Sequence, residues 1–237
     1  MRYSISVVSH GQGALVLAFL NDLDRVQPRD FEVIITSNVP ETLPPLDHLR
    51  MPISVVRNPA RLGFGANHNR AFEKSRGDFF VVANPDIRLS ELDLAKLAQP
   101  FVDAHVGITA PRVVDSAGRP QDSARRFPTW SSLLARALSR ARRADYECDT
   151  PTAVDWVAGM FMMLRRSAYS DLGGFDERRF FMYYEDVDLC RRMWASGWKV
   201  IWHPGIGVIH DAQRASHRSM PHLRWHAMSA FRFLTGL

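Results

Sequence analysis

The run Asp78-Phe79-Phe80-Val81-Val82-Ala83 is almost uninterrupted in its apolar character and has Asn84-Pro85-Asp86 directly behind it. A strand buried on both faces reads this way, and such strands belong to parallel sheets covered by helices. The segments ahead of it agree. Ile5 to Val8 is β-branched, Phe31 to Ile35 and Ile53 to Val56 are strand-like, and Ala14 to Leu23 and Gly65 to Lys74 carry helical patterns. The first hundred residues therefore predict an α/β unit with a mostly parallel central sheet flanked by helices.

Beyond Leu89 the pattern predicts a helix to about Ala104, a strand from Val106 to Ala110, and an arginine-rich stretch from Arg119 to Arg143. A second apolar run covers Val154 to Leu164. A helix from Glu185 to about Ala195 is expected to stop at Gly197, followed by a strand from Trp198 to Trp202 that ends at His203-Pro204-Gly205. No internal repeat or low-complexity linker marks a boundary. Residues 1–237 are thus read as one domain, with halves 1–110 and 111–237 meeting near residue 110.

At 46% apolar, a chain of 237 residues can bury a core without disulfides or a structural metal. Its two cysteines, Cys148 and Cys190, have no C-x-x-C spacing, which suits a reduced intracellular protein. No basic, apolar leader precedes Ile5, and no apolar stretch approaches the roughly 20 residues of a membrane span, so a cytoplasmic location is expected. The net charge of +5 suits an anionic partner, although only three of the thirty basic residues are lysines and an arginine bias can equally reflect base composition. No nucleic-acid-binding motif accompanies the charge, so nucleic acid is not expected as a partner. The patterns G-x-G-x-x-G, G-x-x-x-x-G-K-[ST], G-x-S-x-G and H-E-x-x-H do not occur either.

Three places could carry chemistry. Asp86 follows a strand end, where open α/β sheets gather ligands. Its hard oxygen suits Mg2+ or Mn2+ holding a diphosphate, and an Asn-Pro-Asp turn is the other reading. Glu185, Asp186 and Asp188 open a helix, whose dipole favours ionised carboxylates. One of them could serve as a general base, and the preceding Phe180-Phe181-Met182-Tyr183-Tyr184 would form a sugar-stacking wall beside it. His210, after the apolar Ile206 to Ile209, could add an imidazole to the same metal. The loop Arg61 to Asn69 is a weaker candidate, a glycine-containing lead into a helix that could cradle a nucleotide.

Taken in order, Trp156-Val157-Ala158-Gly159, Leu164-Arg165-Arg166, Leu172-Gly173-Gly174-Phe175-Asp176-Glu177, Phe181 to Leu189, Gly197-Trp198 and Val208-Ile209-His210 resemble the inverting family 2 glycosyltransferases, in particular a rhamnosyltransferase-like branch. The resemblance implies a GT-A fold with a Rossmann-like sheet. It implies that residues 1–110 hold a nucleotide-diphosphate sugar and that 111–237 bind the acceptor and carry catalysis. Asn84-Pro85-Asp86 would stand for the D-x-D metal motif, Asp86 and His210 would hold Mg2+ or Mn2+, and Asp186, with Glu185 beside it, would be the base. Ser9, Ser37, Asn58, Asn84, Asp86 and Gly159 would line the nucleotide-sugar site and Trp156 the acceptor site.

The implied reaction moves L-rhamnose from dTDP-rhamnose to a sugar hydroxyl of a surface polysaccharide or lipid-linked glycan. The arginine-rich stretch and the segment His222 to Leu234 would contact the inner membrane face. The chain departs from the family at Ser9-His10-Gly11, Thr36-Ser37-Asn38 and Arg70. Those departures leave open the nucleobase, and with it the alternative of a noncatalytic nucleotide-sugar binding or scaffold protein.

Overall fold

Parallel pairing of four N-terminal strands forms one half of a nine-stranded sheet in the computed structural model, which describes residues 2–26, 29–133, 145–210 and 220–236. The arginines from Arg136 to Arg143 lie outside the described residues. The strands are β1 Tyr3–Ser9, β2 Phe31–Ser37, β3 Ile53–Arg57 and β4 Phe79–Ala83, in spatial order β3-β2-β1-β4. Helices α1 Gly13–Leu23 and α2 Phe64–Lys74 connect them. β1 and β4 are buried along nearly their whole length, as the unbroken apolar run predicted.

The sheet then becomes mixed. β10 Phe161–Arg165 runs antiparallel to β4 and to β6 Val106–Val114, while β11 Lys199–His210 runs parallel to β6. The short β5 Ile87–Arg88 and β8 Thr152–Ala153 pair with β11, and β7 Ala124–Arg125 forms a separate ribbon with β9 Trp156–Val157. The expected meeting point near residue 110 lies inside β6. Apolar clusters fill both faces. One contains Phe19, Leu20, Phe31 and Met163, and the other Phe80, Met162, Tyr169 and Leu189.

Two expected elements differ. The helix from Leu89 to Ala104 is realised only as α3 Leu94–Leu97 and a 3-10 turn Gln99–Val102. Asp93 caps α3 by accepting from the Lys96 N–H, and Pro100 has no N–H with which to continue it. The strand expected to end at His203-Pro204-Gly205 instead runs on to His210. Between His203, opposite Pro111, and Gly207, opposite Arg112, the register shifts, so the Pro-Gly step is accommodated as a bulge. That bulge delivers His210 opposite Ile87.

Helices α4 Arg166–Asp171, α5 Glu185–Ala195 and α6 Met220–Thr235 complete the named elements. Asp188 on α5 is a structural hub. Its buried carboxylate pairs with Arg192 at 2.7 Å and with Arg179 and Arg191 at 3.3 Å each, and those arginines reach the carbonyls of Leu172, Gly174, Arg232 and Phe233. Asp188→Ala strands three cations and is expected to lower stability by about 3–5 kcal/mol, read as a shifted urea midpoint. Among the described residues no helix is long and apolar enough to cross a membrane.

Candidate active site

β4 and β10 bring the candidate residues together. Asn84 donates its N–H to the Met160 carbonyl at 2.8 Å, and the neighbouring Gly159 N–H donates to Asp186 Oδ2 at 2.9 Å. Val187 N–H donates to Asp186 Oδ1 at 2.9 Å. A Cβ on Gly159 would lie 3.3 Å from the Phe64 ring and 3.5 Å from Asp186 Cβ, so this close approach favours glycine.

On the other side of Asn84, Asp86 Oδ2 faces His210 Nε2 at 3.4 Å. His210 Nδ1 donates to Gln121 Oε1 at 3.1 Å, while Gln121 Nε2 donates back to the His210 carbonyl at 2.7 Å. This holds the ring with its Nε2 toward Asp86. Asp86 Oδ1 is buried with no hydrogen-bond partner among the described residues. Among those residues no cluster of three or more His, Cys, Asp or Glu could hold a metal alone. A hard oxygen and one imidazole nevertheless fit Mg2+ or Mn2+ whose remaining positions go to phosphate oxygens and water.

The two neighbouring acids differ in environment. The helix dipole is worth at most about 2 kcal/mol to a carboxylate, whereas burying an unpaired charge costs several kcal/mol. Glu185 is buried and its Oε2 has no partner among the described residues. Burial, and then the charge of Asp186, pushes its carboxyl well up. Burial also raises Asp186, but the Gly159 and Val187 N–H groups and the charge of Arg125 oppose the rise. Burial therefore opposes the ionisation that the dipole favours, and more strongly at Glu185 than at Asp186.

A stability consequence follows from Glu185. Its unfolded value is the ordinary one near 4.5 and its folded value is higher, so folding takes up a proton and stability from this group falls as pH rises between the two. Glu185→Gln removes the penalty. The melting temperature of the variant minus that of the parent should therefore increase with pH across that window.

The aromatic approach is a buttress rather than the expected open wall. Phe180 and Tyr184 are buried, Phe181 packs on Trp225 with ring centres 5.1 Å apart, and His226 lies 5.4 Å from both Tyr183 and Tyr184. Tyr183 and Tyr184 hold φ of 71° and 68°, the only non-glycine residues with positive φ among the described ones. Such backbone costs about 1–3 kcal/mol per residue and persists only where the surroundings enforce it. Here α6 does so, through Tyr183 Oη to His222 Nδ1 at 2.8 Å and Ser229 Oγ–H to the Met182 carbonyl at 2.9 Å. The strained pair sets the start of α5 and hence Asp186.

Trp156 is buried, donates its Nε1–H to the Arg126 carbonyl at 2.9 Å and carries the Arg125 guanidinium 5.3 Å above its ring. Ser9, Ser37 and Asn58 lie at the carboxyl ends of β1, β2 and β3. Ser9 Oγ accepts from the Gln12 N–H, and Ser37 Oγ–H donates to the Val39 carbonyl. Asn58 donates to Asn38 at 2.8 Å and to Asn67 at 2.6 Å, and accepts from Arg70 at 3.0 Å. Asn38 in turn donates to His10 Nδ1 and the Leu62 carbonyl. The positions that depart from the family thus form one polar network across three strand ends. Gly63 and Gly65 are explained by packing, since a Cβ would collide with the Phe181 backbone and the Phe175 side chain.

Gln121 and Arg125 were not singled out by sequence as members of this site. They flank Ser123, whose carbonyl accepts the Ala158 N–H at 2.8 Å, so one short segment supports both His210 and the surroundings of Asp186. No local pattern announces contacts made over such separations.

A half-parallel sheet with carboxylates gathered beyond its strand ends is the GT-A arrangement of glycosyltransferases, and solved structures share it. One is GalNAc-T7 with UDP, GalNAc and Mn2+, with a TM-score of 0.69 at 17% identity over 89% of this chain and 44% of that one. Another is a mannosyltransferase from Pyrobaculum calidifontis with GDP-Man and Mn2+, with a TM-score of 0.65 at 18% identity over 98% and 64%. The chain spans less than two thirds of either.

The chain belongs to glycosyl transferase family 2, whose profile matches residues 4–173. Rhamnosyltransferase WbbL of Escherichia coli K12 is 29% identical over 97% of this chain and 91% of its own length. The N-acetylglucosaminyl-diphospho-decaprenol L-rhamnosyltransferase of Mycobacterium tuberculosis H37Rv is also 29% identical, over 97% and 83%.

Proposed function

We propose that this glycosyltransferase transfers L-rhamnose with inversion from dTDP-rhamnose to a sugar hydroxyl of a lipid-linked or surface glycan, at the cytoplasmic side of the plasma membrane. The observation that carries the reading is the Asp186 carboxylate, held by two backbone N–H groups and joined through Gly159, Met160 and Asn84 to the Asp86–His210 pair. The two rhamnosyltransferase relatives favour the sugar, and the decaprenol-linked acceptor in the name of one of them favours a lipid-linked acceptor.

In this mechanism Asp186 takes the proton of the acceptor hydroxyl as its oxygen attacks the anomeric carbon from the face opposite the diphosphate. The bond from that carbon to the diphosphate oxygen breaks, and the nucleoside diphosphate leaves with the bonding electrons. Bound Mg2+ or Mn2+ would neutralise the charge growing on the leaving group, with Asp86 and His210 as its protein ligands and Gln121 orienting the imidazole. Burial disfavours charge on Glu185 and so keeps a second negative charge away from the base. Ser9, Ser37, Asn58 and Asn84 border the donor in the half up to residue 110. Gly159 lies by the transferred sugar and Trp156 by the acceptor.

The polar network of Asn38, Asn58, Asn67 and Arg70 favours recognition of the nucleoside by neutral amides. Burial, and then the positive charge of Arg61, lowers His10 and keeps it neutral there. A half-buried Asp186 held by two backbone N–H groups behind the strained Tyr183-Tyr184 pair favours catalysis over a noncatalytic scaffold. A calorimetric screen of dTDP-rhamnose, UDP-sugars and GDP-sugars with and without Mn2+ tests the reading. The expected result is Mn2+-dependent binding of dTDP-rhamnose, and preference for another donor would replace rhamnose in the proposal.

A further inference from the structure

Five large apolar side chains are exposed among the described residues, and three of them, Leu223 at 66%, Met228 at 46% and Phe231 at 51%, lie on α6. At about 100° per residue, Leu223, Arg224, Ala227, Met228 and Phe231 fall within one arc of roughly 140°. The opposite side of the helix packs inward, with Trp225 on Phe181, His222 on Tyr183 and Phe233 on Tyr184. An ordinary surface helix turns a polar face to water; α6 instead exposes Leu223, Met228 and Phe231.

Charge indicates what covers the outer face. From Met220 to Thr235 there is no aspartate or glutamate, and Arg224 lies within the exposed arc. Arg61, also exposed, stacks 5.7 Å from the Trp225 ring. An apolar arc that carries one cation, with a second beside the neighbouring Trp225, fits the headgroup boundary of an anionic bilayer.

We propose that α6 docks on anionic lipid, with Leu223, Met228 and Phe231 entering the acyl boundary and Arg224 meeting phosphate groups. The inner face of the same helix holds Phe181 to Tyr184 ahead of Asp186. Docking therefore brings the base to the level at which a lipid-linked sugar emerges. This last consequence rests on the lipid-linked acceptor proposed above; the docking itself does not.

The test is co-sedimentation of the full chain with vesicles of phosphatidylglycerol and phosphatidylcholine, and with phosphatidylcholine alone, at low and high salt. The parent should bind the anionic vesicles, more weakly as salt rises. A Leu223→Ser, Met228→Ser, Phe231→Ser variant should lose roughly tenfold or more of that binding, and Arg224→Glu, which leaves all packing in place, should lose part of it. Both should keep donor binding by calorimetry, which separates failed docking from a failed functional reading.

The proposal is overturned if the parent does not sediment at low salt or if the triple variant sediments like the parent. It is also overturned if the parent is a dimer that the triple variant converts to monomer without either binding vesicles, because a second copy would then cover the face.

Discussion

Asp186→Asn is expected to lower transfer by roughly 10²–10⁴-fold while leaving donor affinity as it is in the parent. The substitution keeps the shape of the side chain, and the amide oxygen can still accept one of the two backbone hydrogen bonds that hold the carboxylate. What it removes is the ability to take the acceptor proton. Donor binding relies in the proposal on Asp86, His210 and the strand ends, so calorimetry with the nucleotide sugar should report little change beside a lost turnover rate.

The pH profile adds an independent reading. Asp186 must be ionised to act, and burial raises its carboxyl above the ordinary value. The acid limb of kcat/KM for the parent should therefore lie above the range of a solvent-exposed aspartate and fall away as pH decreases through it. An Asp186→Asn enzyme with near-parent turnover would move the base elsewhere. If Glu185→Gln also retained activity, Glu185 would be excluded as that base, since the amide mimics its protonated form.

Much of this site is legible in the amino-acid sequence. β4 stands out because a strand buried on both faces leaves no polar alternation, and the carboxylate after its end falls where such sheets bind ligands. The start of α5 is equally legible from its acids and apolar spacing. What is not legible depends on distant residues. The approach of His210 to Asp86 requires β11 to run through Pro204-Gly205 with a shifted register, whereas Pro-Gly read locally marks an end. The upward push on the Glu185 carboxyl depends on burial beneath other elements, against a helix dipole that the local sequence displays. Phe180 to Tyr184 reads as a wall for sugar because nothing in that stretch announces the aromatic side chains of α6 that cover it.

Asp86→Ala and His210→Ala are each expected to abolish the gain in donor affinity that Mn2+ gives the parent, with transfer falling to background. Asp86 Oδ1 is buried without a partner among the described residues, which an ion or a donor hydroxyl at this position would complete. Facing it, the imidazole of His210 presents Nε2 because Gln121 occupies Nδ1. Gln121 touches neither the proposed ion nor the donor, which makes it the more searching variant. Gln121→Leu frees the ring to rotate or change tautomer, and loss of such a supporting partner typically costs 10–100-fold in metal affinity or activity, so about that loss in Mn2+ affinity is expected. Transfer should then recover when Mn2+ is raised, as it should not in Asp86→Ala. A merely structural Gln121 would instead lower the melting temperature and leave the Mn2+ titration unchanged. Equal donor binding with and without Mn2+ in the parent would remove the ion from the proposal altogether, leaving the Asp86–His210 contact as a clasp between β5 and β11.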